Sequence, residues 1–340
     1  MTVLSVGYPL FPVSLDSSGG SEQVLFLLER EVMRAGHKSI VIAAEGSKIS
    51  GQLVATPRTN GEITDEIRQD AQRAHLDAIR ETLRKYPIDI IHFHGLDFHT
   101  YVPETSVPML ATLHLPLAWY PEHAFRLSGV TLNCVSDVQA KGTGLRVIKN
   151  GIDVGRYRTG NNKDEYLLWI GRVCPEKGVD IALRVAHRLD RHLMVAGPVH
   201  AFESHQRYFS ECVRPLLDEK RRYIGPVDGD LKTELLACAR CLLVPSLVAE
   251  TSSLVAMEAA ASGVPVVSLR SGALPEVVEH GKTGFVVDSE DEMVEAVSRV
   301  HEIAPAACRA TALRRFDSRR MTSEYLELYS LLTQNALALR

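Results

Sequence analysis

The chain has 340 residues, 45% hydrophobic and 24% charged, an ordinary balance for a folded globular protein and long enough for two domains. A net charge of −4 gives no basic footprint for nucleic acid, and no run of about 18 apolar residues offers a transmembrane helix. The six cysteines are scattered, which fits a reducing cytoplasm.

The opening MTVLSVGYPLFPV lacks a basic leader and is broken by Pro9 and Pro12, so it is expected to be a first strand and not a signal peptide. Residues 3–7 form that strand, a loop follows over 8–18, and Gly19-Gly20 precede a helix over 21–35 that Gly36 ends. A glycine pair at a helix start leaves N–H groups for an anion, or is simply a loop pair. Strands are expected at 39–43, 88–93, 107–113, 130–135 and 145–148. A charged helix spans 63–84, and Ser136 caps a short helix. His94 and His114 fall at strand carboxyl ends, where open α/β sheets bind ligands. His92, His94, His99 and His114 could hold a metal, but no Cys or carboxylate sits at a supporting spacing; hydrogen bonding to a sugar and core packing rank above it.

Asn150-Gly151 carries turn chemistry, and the polar stretch 157–164 reads as a linker. The pattern then restarts with a strand at 166–170. A loop, GRVCPEKG, places Arg172 and Lys177 at a strand end beside a helix over 179–189. That pair suits a diphosphate, with Arg as a planar fork and Lys as a point charge; a solvated charge pair is the plain alternative. Strands follow at 193–196, 222–224, 241–244, 264–267 and 285–287, and a last helix at 321–337. Cys238 and Cys241 form a CxxC without a second pair, so they read as buried small residues and not as zinc ligands. The stretch VPSLVAETSSLVAMEAAASGVPVV is strand, loop, helix and strand, with Ser252 or Ser253 as N-cap and Gly263 as C-cap. Its helix start favours an anion, and Glu250 and Glu258 bracket it as acceptors for sugar hydroxyls. A buried αβ unit with two satisfied glutamates would read the same way.

Taken together, the chain resembles glycosyltransferase family 4, retaining enzymes with the GT-B fold. GRVCPEKG resembles the family's GRxxxxKG. VIKNGID, the Glu250–Glu258 stretch and SGALPEVVEHGKTGFVV resemble three further motifs in the same order. The resemblance implies an α/β chain of two Rossmann-like β/α/β domains facing across a cleft. Residues 1–160 would form the acceptor side, 161–320 the donor side, and 321–340 a helix crossing back onto the first domain. It implies Arg172 and Lys177 on the diphosphate, Glu258 on the ribose and Glu250 on the donor sugar, with backbone at Ser252, Ser253 and Leu254 meeting sugar and phosphate. Gly19 and Gly20 match the family's amino-terminal glycine loop, His114 its histidine near the donor sugar, and His94 a second position. Thr251-Ser252-Ser253 departs from the family's usual aromatic, which leaves donor-sugar identity open.

The implied function is retaining transfer from a nucleoside-diphosphate sugar, a UDP-sugar, to a hydroxyl acceptor of open class, in the cytoplasm. No metal and no other cofactor is expected, and no nucleic acid; peripheral membrane contact stays open. The alternatives are a nucleotide-sugar epimerase of the same architecture or a non-catalytic sugar-nucleotide binder. The loops expected to choose the acceptor are 8–18, 46–64 and 115–122.

Overall fold

The computed structural model describes residues 1–17, 19–59, 63–160 and 166–338. Ser18 of the first loop, 60–62 of the 46–64 loop and 161–164 of the linker lie outside the described residues. The chain divides into two compact units: residues 1–151 with 318–340, and residues 152–317.

The first unit is built on strands β1 (Thr2–Val6), β2 (Lys38–Ala44), β3 (Gln52–Thr56), β4 (Ile90–Phe93), β5 (Met109–Leu113), β6 (Val130–Cys134) and β7 (Arg146–Val147). All seven run parallel in the order β3-β2-β1-β4-β5-β6-β7. The central strands are apolar almost throughout, as a parallel sheet buried on both faces demands. Helices α1 (Gly20–Arg34), α2 (Asp65–Lys85) and the single turn α3 (Asp137–Ala140) connect them. Val24, Leu25, Leu27, Leu28 and Val32 form the buried face of α1. Thr64 caps α2 by accepting from the Ile67 N–H, with Asp65 and Glu66 in the first turn and Arg84 and Lys85 in the last.

Two local expectations are corrected. The loop read over 46–64 contains the edge strand β3, whose pattern is only half-buried and so weak in the sequence. Ser136 stands at the N-cap position of α3, but its hydroxyl makes no capping bond.

The second unit holds strands β8 (Tyr166–Ile170), β9 (His192–Ala196), β10 (Arg221–Gly225), β11 (Cys241–Val244), β12 (Val266–Leu269) and β13 (Gly284–Val287). They run parallel in the order β10-β9-β8-β11-β12-β13. Both sheets therefore have the Rossmann-like arrangement, in which strand order reverses once: between β1 and β4, and between β8 and β11. Helices α4 (Val179–Arg188), α5 (Glu203–Tyr208), α6 (Gly229–Cys238), α7 (Leu254–Ala261), α8 (Leu274–Val277), α9 (Glu290–Ser298) and α10 (Pro305–Arg315) complete this unit. Ile152 pairs with Asp317 in an isolated bridge, and its N–H donates to Phe316 O at 2.7 Å, closing the unit at both ends of its sequence.

The final helix, α11 (Ser318–Ala338), returns to the first unit and packs against α1. Its Tyr325 and Tyr329 are fully buried there.

Candidate functional site

In the second unit, β8 and β11 lie side by side where the strand order reverses. The loops that leave their carboxyl ends are therefore neighbours. Gly178 makes their contact close: its φ is +64°, and a Cβ there would fall 2.2 Å from Pro245 O. The Leu247 N–H donates to Glu176 O at 2.8 Å across the same junction. This brings Lys177 Nζ to within 2.5 Å of Glu250 Oε1, which also accepts from Ser246 Oγ at 2.6 Å. Glu250 is held from behind by the loop before α8, where the Ala273 N–H donates to Glu250 O at 2.6 Å. Gly272 permits that approach, since a Cβ there would lie 2.1 Å from the same oxygen.

Arg172 stands at the start of the first loop. Its guanidinium makes no hydrogen bond or ion pair among the described residues, and its charge reaches Glu176, His200 and His205. The site thus contains one cation tied to a carboxylate and one that is not. Ser253 is the N-cap residue of α7 by backbone geometry, but its side chain makes no capping bond. Ser252 Oγ is buried without a partner among the described residues, and Leu254 opens the helix.

Glu258 on α7 is 2% exposed. It accepts from Tyr157 Oη at 2.8 Å, and Lys232 Nζ of α6 lies 2.7 Å from both its carboxylate oxygens. Burial, and next the Glu258 charge, push the Tyr157 phenol well above its usual pKa, so it stays a donor. Sequence reasoning missed both partners. Tyr157 fell in the segment read as a linker, and Lys232 is one charge on a helix that carries no motif.

In the first unit, His94 follows β4 and His114 follows β5, and the two strands are adjacent. His94 Nδ1 and His114 Nε2 are 3.0 Å apart, so one ring donates and the other accepts. Burial lowers the His114 pKa to about 4; burial, reinforced by His92 and His114, holds His94 well below the usual value. His94 Nε2 is buried without a partner among the described residues.

The four candidate metal-binding histidines, His92, His94, His99 and His114, are not among the grouped metal-capable side chains of the described residues. His92 spends both ring nitrogens on hydroxyls: Nδ1 on Tyr329 Oη at 2.6 Å and Nε2 on Thr112 Oγ1 at 2.7 Å. The proton order follows from the end of this chain. Asn133 Oδ1 can only accept, so it takes the Thr112 proton at 2.7 Å. Thr112 then accepts from His92 Nε2–H, and His92 Nδ1 accepts from Tyr329. Tyr325 Oη closes the network on Thr112 at 3.0 Å.

Gly19 lies close against Glu22. A Cβ there would lie 1.9 Å from Glu22 Oε2, so the glycine makes room for a buried carboxylate at the start of α1. Gly20 is the first residue of that helix. A negative group thus stands where the sequence left space for an anion. Cys238 and Cys241 are both free thiols, and Cys241 is buried.

Residues 18–156 match the family model described as Glycosyltransferase Family 4, and residues 164–302 the model described as Glycosyl transferases group 1. The chain belongs to glycosyltransferase family 4. This family 4 chain is 30% identical over 169 residues to the D-inositol 3-phosphate glycosyltransferase of Corynebacterium efficiens, a match covering 43% of this chain and 40% of that one. Across three such curated relatives it spans 32% to 49% of their length. It superposes on the crystal structure of AviGT4, a glycosyltransferase involved in avilamycin A biosynthesis, with TM-score 0.76 and 25% identity over 98% of both chains. It shares the fold of Anabaena HepE, solved with UDP-glucose, at TM-score 0.74 and 18% identity over 97% of this chain and 99% of that one.

Proposed function

We propose that this family 4 protein transfers a sugar from a nucleoside-diphosphate sugar, specifically a UDP-sugar, to a hydroxyl acceptor with retention at the anomeric carbon. The observation that carries the reading is the pair of cations on one loop, Lys177 fixed on Glu250 and Arg172 without an ion-pair partner among the described residues. A leaving diphosphate needs positive charge that is already in place when the bond breaks. Lys177 has three N–H donors and uses one on Glu250, so others are left for phosphate oxygens. Arg172 supplies a planar fork for a second phosphate group. The HepE complex with UDP-glucose fits a uridine donor.

In this scheme the bond from the anomeric carbon to the diphosphate oxygen breaks, and the acceptor oxygen bonds to the same face of that carbon. The acceptor proton passes to the departing phosphate, so no protein nucleophile is needed. Glu250 accepts from sugar hydroxyls, and Glu258 from the ribose. The backbone at Ser252, Ser253 and Leu254 meets sugar and phosphate, and His114 hydrogen-bonds the transferring sugar. Charge from Arg172 and Lys177 makes a metal unnecessary at the phosphates. The free cysteines are in keeping with a cytoplasmic setting. No helix among the described residues is long and apolar enough to cross a membrane.

Calorimetry against a panel of nucleoside diphosphates and their sugars tests the donor, with UDP species expected to bind tightest. Proton NMR of the glycoside formed then reads the anomeric configuration. Absence of binding by every nucleoside diphosphate, or an inverted product, overturns the reading.

A further inference from the structure

The loop that carries Arg172 and Lys177 also carries Cys174 and Glu176, which the proposed transfer does not use. Opposite them stands His205 of α5. One ligand-capable atom from each of these three residues lies within 4.8 Å of the other two. Cys174 is fully buried, His205 is 8% exposed, and Glu176 is half-buried. His205 Nδ1 is buried and has no partner among the described residues. The Cys174 thiol contacts Arg172 O at 3.4 Å and hydrogen-bonds the Glu176 carboxylate, so two of the three groups already face each other. Buried ring nitrogens are seldom left unpaired without a reason.

We propose that Cys174, Glu176 and His205 form a site for a thiophilic divalent cation of the Zn2+ class, which ties the 171–178 loop to α5. Sulfur, nitrogen and oxygen are the donor set such an ion takes, with an open fourth position for water. Around a tetrahedral Zn2+ the donor atoms sit roughly 3.3–3.8 Å apart, from metal–ligand distances of about 2.0–2.3 Å. Binding would draw the three donor atoms together from separations of up to 4.8 Å. Binding displaces the thiol proton, and thiolate plus carboxylate then balance the two positive charges. The Arg172 guanidinium nearby therefore keeps its net charge for an anion.

The ligands stand on elements already fixed to one another. The Tyr208 hydroxyl of α5 donates to Asp180 Oδ1 and accepts from the Asp180 N–H at 3.1 Å, joining α5 to the first turn of α4. Glu176 is held at its carbonyl by Leu247. An ion there would stiffen the segment that presents both cations. No spacing announces the site, because Cys174 and His205 come from separate elements.

The test is Zn2+ binding by the full chain, in competition with a chromogenic zinc chelator, and Co2+ binding followed by absorption. We expect one Zn2+ that His205→Ala or Cys174→Ser weakens at least tenfold. We also expect a thiolate-to-Co2+ charge-transfer band that Cys174→Ser abolishes and that persists when the exposed Cys212 and the half-buried Cys238 are changed to Ser. Equal Zn2+ affinity in wild type and His205→Ala, or no charge-transfer band in wild type, overturns the site. Should His205→Ala not fold, the Co2+ spectra of wild type and Cys174→Ser decide. This outcome is independent of whether a nucleoside diphosphate binds.

Discussion

At the carboxyl ends of β4 and β5 the first unit buries neutral groups: His92, His94, His114, Thr112 and Asn133, with Tyr325 and Tyr329 from α11. At the ends of β8 and β11 the second unit holds charges, Lys177 on Glu250 and Lys232 on Glu258, with Arg172 beside them. The sheets share a strand order, so topology does not choose the chemistry. The residue types at the strand ends do: burial pushes the His92, His94 and His114 rings towards the neutral form, whereas Lys177 pairs with Glu250 and Lys232 with the buried Glu258. One unit thus gathers buried rings at its strand ends, the other paired charges.

The largest expected difference is in acid. His75 and His114 have folded pKa values near 4, and His92 and His94 lie well below 6.5, in each case chiefly through burial; all four are in the first unit. A lowered folded pKa means the unfolded chain takes up protons that the folded one refuses. Their contribution is complete above about pH 6.5 and declines as the pH falls below it; for His75 and His114 it is lost towards pH 4, at roughly 1.4 kcal/mol per pH unit for each of these two rings. The two tryptophans separate the units, Trp119 reporting the first and Trp169 the second. In single-tryptophan variants, the urea midpoint seen by Trp119 should drop sharply between pH 7 and 5, and that seen by Trp169 far less. Equal drops would erase the contrast.

On the charged side, Lys177→Ala should lower kcat/KM for the donor by 10²–10³-fold, about 3–4 kcal/mol of lost transition-state stabilisation. Steady-state kinetics at saturating acceptor would show it, and near-normal turnover would remove Lys177 from the diphosphate. Glu258→Gln keeps the shape and removes the charge. It should weaken UDP binding in calorimetry by roughly tenfold, about the worth of a charge-assisted hydrogen bond. Unchanged affinity would leave Glu258 as a structural partner of Lys232 alone.

Smaller again is Tyr329→Phe, which strips His92 Nδ1 of its donor. It should cost about 1–3 kcal/mol in the first unit, the penalty of one buried unsatisfied group, read as a shift of the Trp119 transition. Arg299→Ala marks the lower end. Its bidentate pair with Glu302 is solvent-exposed, and neither transition should move measurably.

The parts of this molecule that could be read from the chain are those written locally. Arg172, Lys177 and Glu250 fall on two short loops whose flanking strands are plain apolar runs, so their position at strand ends follows from pattern alone. The helix of α7 and its glycine stop at Gly263, with φ +66°, were legible for the same reason. Networks assembled from distant segments were not. His92 meets Tyr329 across 237 positions, and Glu258 meets Tyr157 across 101. Neither tyrosine stands out within its own segment. The edge strand β3 was hidden because one covered face leaves a weak alternation. The carboxylate of Glu22 behind Gly19 shows a further limit: a glycine marks required space without saying what fills it.

The return of α11 to the first unit bears on how the polypeptide is made. Residues 152–317 separate His92 and Thr112 from the two tyrosines that complete their bonding. At 5–20 residues per second, a ribosome needs on the order of 8–30 seconds to cross that interval. Throughout it the nascent amino-terminal sheet lacks its closing helix, while the segment emerging behind it is contiguous and can finish on its own. Order of completion along the message is therefore the reverse of order of appearance, and a product stopped short of Ser318 leaves its earliest-made half unfinished.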